Sequence, residues 1–203
     1  IAIGGGVLLG IISAMNHNRA GDYISTIVAV LGISIPSFVL AGLLQYSLGL
    51  KLGWFPISGW RDAASTVLPS VALGISYMGN IAKMTRSSLL EQNTSEYVKL
   101  ARAKGLTRWA VVFKHSLRNA LLPVVSYLGP LTAGVLTGSF VIENVFAIPG
   151  LGRHFVTSIN NRDYTVIMGT TVFYAILLLF AVLIVDILYV LIDPRIKLEG
   201  ADS

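Results

Sequence analysis

The chain has 203 residues, 54% of them hydrophobic and only 12% charged, and its mean hydropathy is +0.74. An ordinary soluble domain carries about 25% charged residues, so the composition argues against a soluble globular protein, and against disorder, which needs low hydrophobicity and high charge. Cys is absent, which removes disulfides, thiolate metal sites and cysteine nucleophiles; the net charge of +5 reads as membrane topology before nucleic-acid binding.

Charge-free stretches run over 1–18, 23–50, 63–82, 119–142 and 164–185. A spanning helix needs about 20 apolar residues, so these predict five spans, trimmed to 1–15, 24–49, 66–88, 120–142 and 165–191. The first lacks the basic n-region of a secretory signal peptide. Because the chain begins at Ile1 rather than Met, it is read as a piece of a longer protein, with the first span cut at its start.

Loops between five spans alternate sides. One side holds 11 Lys and Arg residues, eight of them between Lys83 and Arg118, and the other holds four: Lys51, Arg61, Arg153 and Arg162. The positive-inside rule puts 89–119 and the C-terminus in the cytoplasm and faces loops 50–65 and 143–164 outward. Trp54, Trp60 and Tyr164 suit the outer interface. Gly6 with Gly10, and Gly134 with Gly138, have the spacing that lets helix backbones approach, although glycine is common in membrane helices anyway. Pro36, Pro69, Pro123 and Pro130 in or beside spans favour an all-α helix bundle, in which neighbours satisfy the freed carbonyls.

The segment 89–119 reads as helix–Gly–helix. Asn93 is expected to cap a helix from Thr94, with Glu96 reaching back as in a capping box. Gly105 suits a left-handed helix end. Thr107 is expected to cap a second helix whose apolar face is Trp109, Val112, Phe113, Ser116, Leu117, Ala120 and Leu121, with Lys114 and Arg118 off that stripe. By pattern alone, a basic amphipathic pair is equally an interfacial anchor.

The individual residues add more. The run Glu96, Tyr97, Val98, Lys99, Leu100, Ala101, Arg102, Ala103, Lys104, Gly105, Leu106, followed by His115, Arg118, Asn119, Ala120 and Pro123, closely resembles the cytoplasmic coupling loop of ABC importer permeases, in the dipeptide/oligopeptide/nickel branch. Gly32 to Phe38 resembles that branch's third membrane helix. Phe140 to Gly152 resembles its last outward loop, and Asp193 to Ile196 its C-terminal end, as in oligopeptide permease B subunits. Two departures from the wider importer pattern, Lys99-Leu100 in place of Glu-Ala and Arg118 in place of a Pro, are usual in the peptide branch.

The resemblance covers essentially the whole chain, as one transmembrane domain. It implies a six-span permease in which these are spans two to six. It also implies a bacterial inner-membrane location, with a second permease, two ATPase subunits and an external binding protein as partners and a peptide as the substrate. ATP and Mg would belong to the ATPase subunits, and no cofactor to this chain. The implied ATPase contact is Glu96, Tyr97, Leu100, Ala101, Arg102, Ala103, Lys104, Gly105 and Leu106. A nickel or glutathione importer of the same branch is the alternative.

Residue chemistry agrees with an external energy source. No Gly-x4-Gly-Lys-Ser/Thr loop is present, so the chain has no such phosphate cradle. The spans hold too few ionisable groups for an ordinary secondary carrier, and no Gly-x-Ser-x-Gly turn supports an intramembrane hydrolase. His17, His115 and His154 are too dispersed for a metal site. Asp186 is expected to pair with Lys83 or Arg86, since a buried carboxylate needs a partner. Glu143 ends its span and reads either as a solvated carboxylate or as part of an outer gate. After it, Pro149 and Gly150 signal a turn, and Phe155 and Ile159 are expected to fold a short helix back over the outer mouth.

Overall fold

The computed structural model describes residues 1–136 and 140–192, without the side chains of Ala133, Leu136, Asp186 and 188–192. Gly138, Arg195, Lys197 and the Asp193–Ile196 motif lie outside the described residues. The described residues are mostly helical, and no strand occurs among them.

The elements are α1 (Ala2–Met15), α2 (Ala20–Ser34), α3 (Ser37–Leu44, prolonged by a π turn over Gln45–Lys51), α4 (Val67–Gln92), α5 (Glu96–Ala103) and α6 (Arg108–Val111). A π turn over Val112–Ser116 leads into α7 (Leu117–Ala120), followed by α8 (Leu122–Leu136), α9 (Phe140–Val145), α10 (Leu151–Asn160) and α11 (Tyr164–Ile192).

Helix α4 is the hub, contacted by α1, α2, α3, α8 and α9, while α11 lies against α8 and α10. Glycine permits the closest of these contacts. A Cβ at Gly6 would lie 2.6 Å from Ile81 Cβ, and one at Gly10 would lie 2.5 Å from Thr85 Cβ. Gly79 of α4 returns the approach, since its Cβ would overlap the Ala29 carbonyl of α2. Small residues at helix contacts are how bundles pack where lipid removes the hydrophobic drive between helices. The buried face of α4 runs through Ile81, Thr85 and Leu89.

The stretch expected as one span over 24–49 is instead two helices bent by 101°. Pro36 is the cause: its ring pushes Ile35 out of the helical region, to φ −81° and ψ 119°, and it has no N–H to continue the ladder. Length and apolarity alone qualify Tyr164–Val185 as a span, or two spans if the bent pair counts as one; Ala2–Met15 and Leu122–Thr132 are shorter apolar helices. The expected 66–88 falls, but for Thr66, within α4, where Lys83 and Arg86 dilute the apolarity. The expected 120–142 is helical to Leu136 and again from Phe140. Within Tyr164–Val185 only Ala181 and Val185 are buried, and its exposed residues include Phe173, Ile176, Leu179 and Phe180. A surface this apolar belongs against lipid or another chain.

Candidate functional site

Three constructions stand out: the α5–α7 loop at one end of α4, an ion pair joining α1, α2 and α4, and the α9–α10 corner.

At the first, α4 runs unbroken to Gln92 and takes Asn93 as its C-cap, with the Asn93 N–H bonded to the Leu89 carbonyl. The expected capping box therefore does not form. Ser95, in extended backbone, precedes α5, and that helix starts at Glu96 rather than Thr94. The Asn93 Oδ1 accepts from Arg102 Nη2 at 3.1 Å, and Glu96 pairs with Lys99 at 2.7 Å, both well exposed. Tyr97 staples the loop: its hydroxyl donates to Gln92 Oε1 at 2.5 Å and accepts from Asn119 Nδ2 at 3.1 Å. Val98, Ala101 and Val111 form a small core beneath.

Gly105 ends α5 at φ +79°, with open space around it, and Thr107 caps α6 by accepting from the Ala110 N–H at 3.3 Å. The expected apolar stripe of the second helix is split. Val111, Val112, Ser116 and Ala120 are buried, whereas Trp109 and Phe113 are more than half exposed. The π turn over Val112–Ser116 accounts for this, because its extra residue rotates the preceding turn relative to the next. Outside, the Trp109 and Phe113 rings stack at 5.8 Å. With exposed Tyr97, Leu100 and Leu106, they give an apolar surface interleaved with Arg102, Lys104 and Arg108, all exposed.

At the second, Asp22 lies at the start of α2 with its side chain 4% exposed. Arg86 of α4 grips it with both prongs, Nε to Oδ1 at 2.7 Å and Nη2 to Oδ2 at 2.8 Å. Ser13 of α1 donates to Oδ1 at 2.5 Å, and the Asn18 N–H to Oδ2 at 3.0 Å. His17 Nδ1 stands 3.3 Å from Oδ2. The Arg86 hydrogen bonds, with those of Ser13 and Asn18, outweigh burial and hold the Asp22 carboxyl far below the usual carboxylate range. Arg86 is thus engaged by Asp22; the side chain of Asp186, the partner expected for Lys83 or Arg86, lies outside the described residues. Reasoning along the chain missed Asp22. Its signal was a lone acid between two apolar stretches.

At the third, α9 ends in a turn through Ala147 (φ +51°), and the Ile148 N–H donates to the Glu143 carbonyl at 2.8 Å. Gly150 begins α10 and offers no capping side chain. The carboxylate of Glu143 does that work, accepting the Arg153 N–H at 3.0 Å. A Cβ at Gly150 would collide with that carboxyl, and one at Gly152 would lie 3.0 Å from it. Glu143 is half-buried. Pro149 is exposed. Helix α10 packs on α9 and α11, and the Phe155 ring meets Tyr174 edge-on at 6.5 Å. Ile159, expected to fold inward with Phe155, is 49% exposed, because nothing in the described chain covers that end of the face. Gln45 ties in the 50–65 loop by donating to the carbonyls of Ile57 and Val145 at 2.8 and 2.9 Å.

Among the described residues, no group of three or more His, Asp or Glu is placed to hold a metal.

Among the described residues, an all-helical bundle with glycine-packed apolar helices and a long, apolar, exposed last helix is the build of a membrane component. The chain belongs to the family of binding-protein-dependent transport system inner membrane components, which it matches over residues 6–198. It is 52% identical over 201 residues to the dipeptide transport system permease protein DppB of Bacillus subtilis, covering 98% of this chain and 65% of that one. Identity is 46% to DppB of Lactococcus lactis, covering 95% of this chain and 64% of that one. For the oligopeptide transport system permease protein OppB of Haemophilus influenzae it is 42%, covering 95% and 63%. The chain thus spans less than two thirds of the length of these relatives.

Proposed function

We propose that the chain is the membrane-spanning part of a permease subunit in an ATP-driven, binding-protein-dependent importer of dipeptides or oligopeptides. The observation that carries this is family membership over residues 6–198 together with about half identity to a dipeptide permease. It forms the path with a second, similar permease, takes peptide from an external binding protein, and is driven by two ATPase subunits that hold ATP and Mg. It does no covalent chemistry itself. It sits in the bacterial inner membrane with 89–119 and the C-terminus cytoplasmic, and 143–164 outward.

The coupling surface is α5 through α7. Its exposed aromatic and aliphatic side chains, Trp109 and Phe113 among them, suit a protein groove better than water. The Tyr97 staple and the buried Leu89 fix the loop to the end of α4. Closure of an ATPase cleft around α5 then moves α4 as a rigid body. At the other end, the Glu143–Gly150 turn and the Phe155–Tyr174 contact support a role for α10 as a cap on the outer mouth.

The test is reconstitution of the full-length chain with its second permease, ATPases and binding protein in proteoliposomes. ATP-dependent uptake of labelled di- or oligopeptide is expected only with all components present. Uptake of another solute class, or uptake without ATPase subunits, rejects the reading.

A further inference from the structure

A cavity of about 120 Å³ lies between α1, α2 and α4 beside the Asp22–Arg86 pair, lined by Ser13, Ser25, Thr26, Lys83, Arg86 and apolar residues such as Leu9. By the measure in which one water needs about 10–15 Å³, it admits a group of several heavy atoms. Its charge balance is unusual for a site among membrane helices. Asp22 engages Arg86 on two nitrogens, so that pair is neutral. Lys83 stands one turn before Arg86 on the same face of α4. It is exposed and joins no ion pair among the described residues. Among the described residues the cavity thus carries one positive charge without an ion-pair partner, the Ser25 hydroxyl and an apolar wall, the Ser13 and Thr26 hydroxyls being directed at Asp22. Exposed Ile27 and Val28 continue that apolar character along α2.

We propose that this cavity binds the phosphodiester of an anionic phospholipid. A phosphodiester brings one negative charge and acceptor oxygens, which match Lys83 and the hydroxyl of Ser25. Its acyl chains match the apolar flank of α2. A soluble anion has no use for that flank, and a zwitterionic lipid brings its own ammonium beside Lys83. Basic pockets between membrane helices on the cytoplasmic side are a recurring form of anionic headgroup site. The choice of leaflet rests on the proposed topology; the binding does not. Asp22 keeps Arg86 oriented, and Lys83 supplies the attraction.

The experiment uses the purified complex containing the full-length chain, titrated with phosphatidylglycerol or phosphatidylcholine and read by native mass spectrometry. Phosphatidylglycerol retention is expected to fall about fivefold in Lys83→Gln and to persist in Lys83→Arg, with phosphatidylcholine retention unchanged in both. Lys83 is exposed and outside the Asp22 pair, so the variants keep the fold, and an intact complex mass verifies assembly. Equal phosphatidylglycerol retention in Lys83→Gln and wild type overturns the proposal. Displacement of the lipid by an equal concentration of inorganic phosphate overturns it in favour of a soluble-anion site. If the wild-type complex imports no peptide while the lipid difference persists, the importer reading fails and the lipid site stands.

Discussion

The carboxylate of Glu143 accepts the backbone N–H of Arg153, ten residues later, at 3.0 Å. One side chain thereby satisfies the first turn of a helix that has glycine at its own cap position. The turn at Pro149 and Gly150 and the return of α10 toward α11 are held by the residue that ends the preceding helix. Glu143→Ala removes the acceptor and is expected to cost about 1 kcal/mol locally, the usual worth of such a cap. Hydrogen exchange of amides 152–155 is expected to speed up several-fold, with exchange in α4 unchanged. Unaltered protection of α10 would show that the cap is dispensable.

Asp22, buried, and Arg86, 31% exposed, pair across 64 residues. Removing Asp22 leaves Arg86 without its partner but within reach of solvent, a loss smaller than the roughly 3–5 kcal/mol of a fully buried pair. Asp22→Ala is therefore expected to lower the melting temperature of the purified complex markedly. Asp22 is held below its ordinary value, so its contribution is complete above the unfolded carboxylate value of about 4. It is lost as pH falls through the folded value. Melting of the wild type is expected to be insensitive to this pair between pH 8 and 5. The gap between wild type and Asp22→Ala is expected to narrow only below about pH 4. A gap that closes between pH 7 and 6 would show that the Asp22 carboxyl is not the group that sets it.

Local rules served best where one residue type dictates backbone. Gly105 at φ +79°, the Thr107 cap and the close approach at Gly6 and Gly10 were all legible in the sequence. Two expectations failed because neighbouring structure overrode a local pattern. Asn93 was taken by the end of α4 instead of starting α5, and the π turn at Val112–Ser116 rotated Trp109 and Phe113 outward. Periodicity assumes an unbroken 3.6-residue repeat, so it cannot register a π turn. Pro36 was visible, but the 101° bend it produces depends on α3 finding partners in α4 and α9. The Asp22–Arg86 contact, being long-range, left no local trace beyond an isolated acid.

Single-cysteine labelling tests the proposed orientation, and the absence of native Cys makes it simple. Ser58, Thr157 and Thr94 are all exposed, whereas Ser158 is 7% exposed and a poor choice. In whole spheroplasts an impermeant maleimide is expected to modify Ser58→Cys and Thr157→Cys but not Thr94→Cys until the cells are permeabilised. The reverse pattern would invert the topology and move the α5–α7 surface away from any ATPase.

Gly105 isolates coupling from folding. Its φ of +79° disfavours any side chain, yet an added Cβ would meet nothing within 4 Å. The penalty for Gly105→Val is therefore backbone strain, about 1–2 kcal/mol for the left-handed region and more for a β-branched residue. Relief of that strain requires the α5–α6 turn to change shape, which re-aims Leu100 and Leu106 on one side and Trp109 on the other. The Tyr97 staple and the Val98, Ala101 and Val111 core hold the rest of the loop in place. Membrane insertion and pairing with the second permease are expected to survive. Peptide-stimulated ATP hydrolysis is expected to fall at least tenfold in the reconstituted complex, while basal hydrolysis by the ATPase subunits persists. Gly105→Asn, which tolerates the left-handed region, is expected to recover most of the stimulation. Full stimulation in Gly105→Val would mean that the geometry of this turn is not what transmits the ATPase motion.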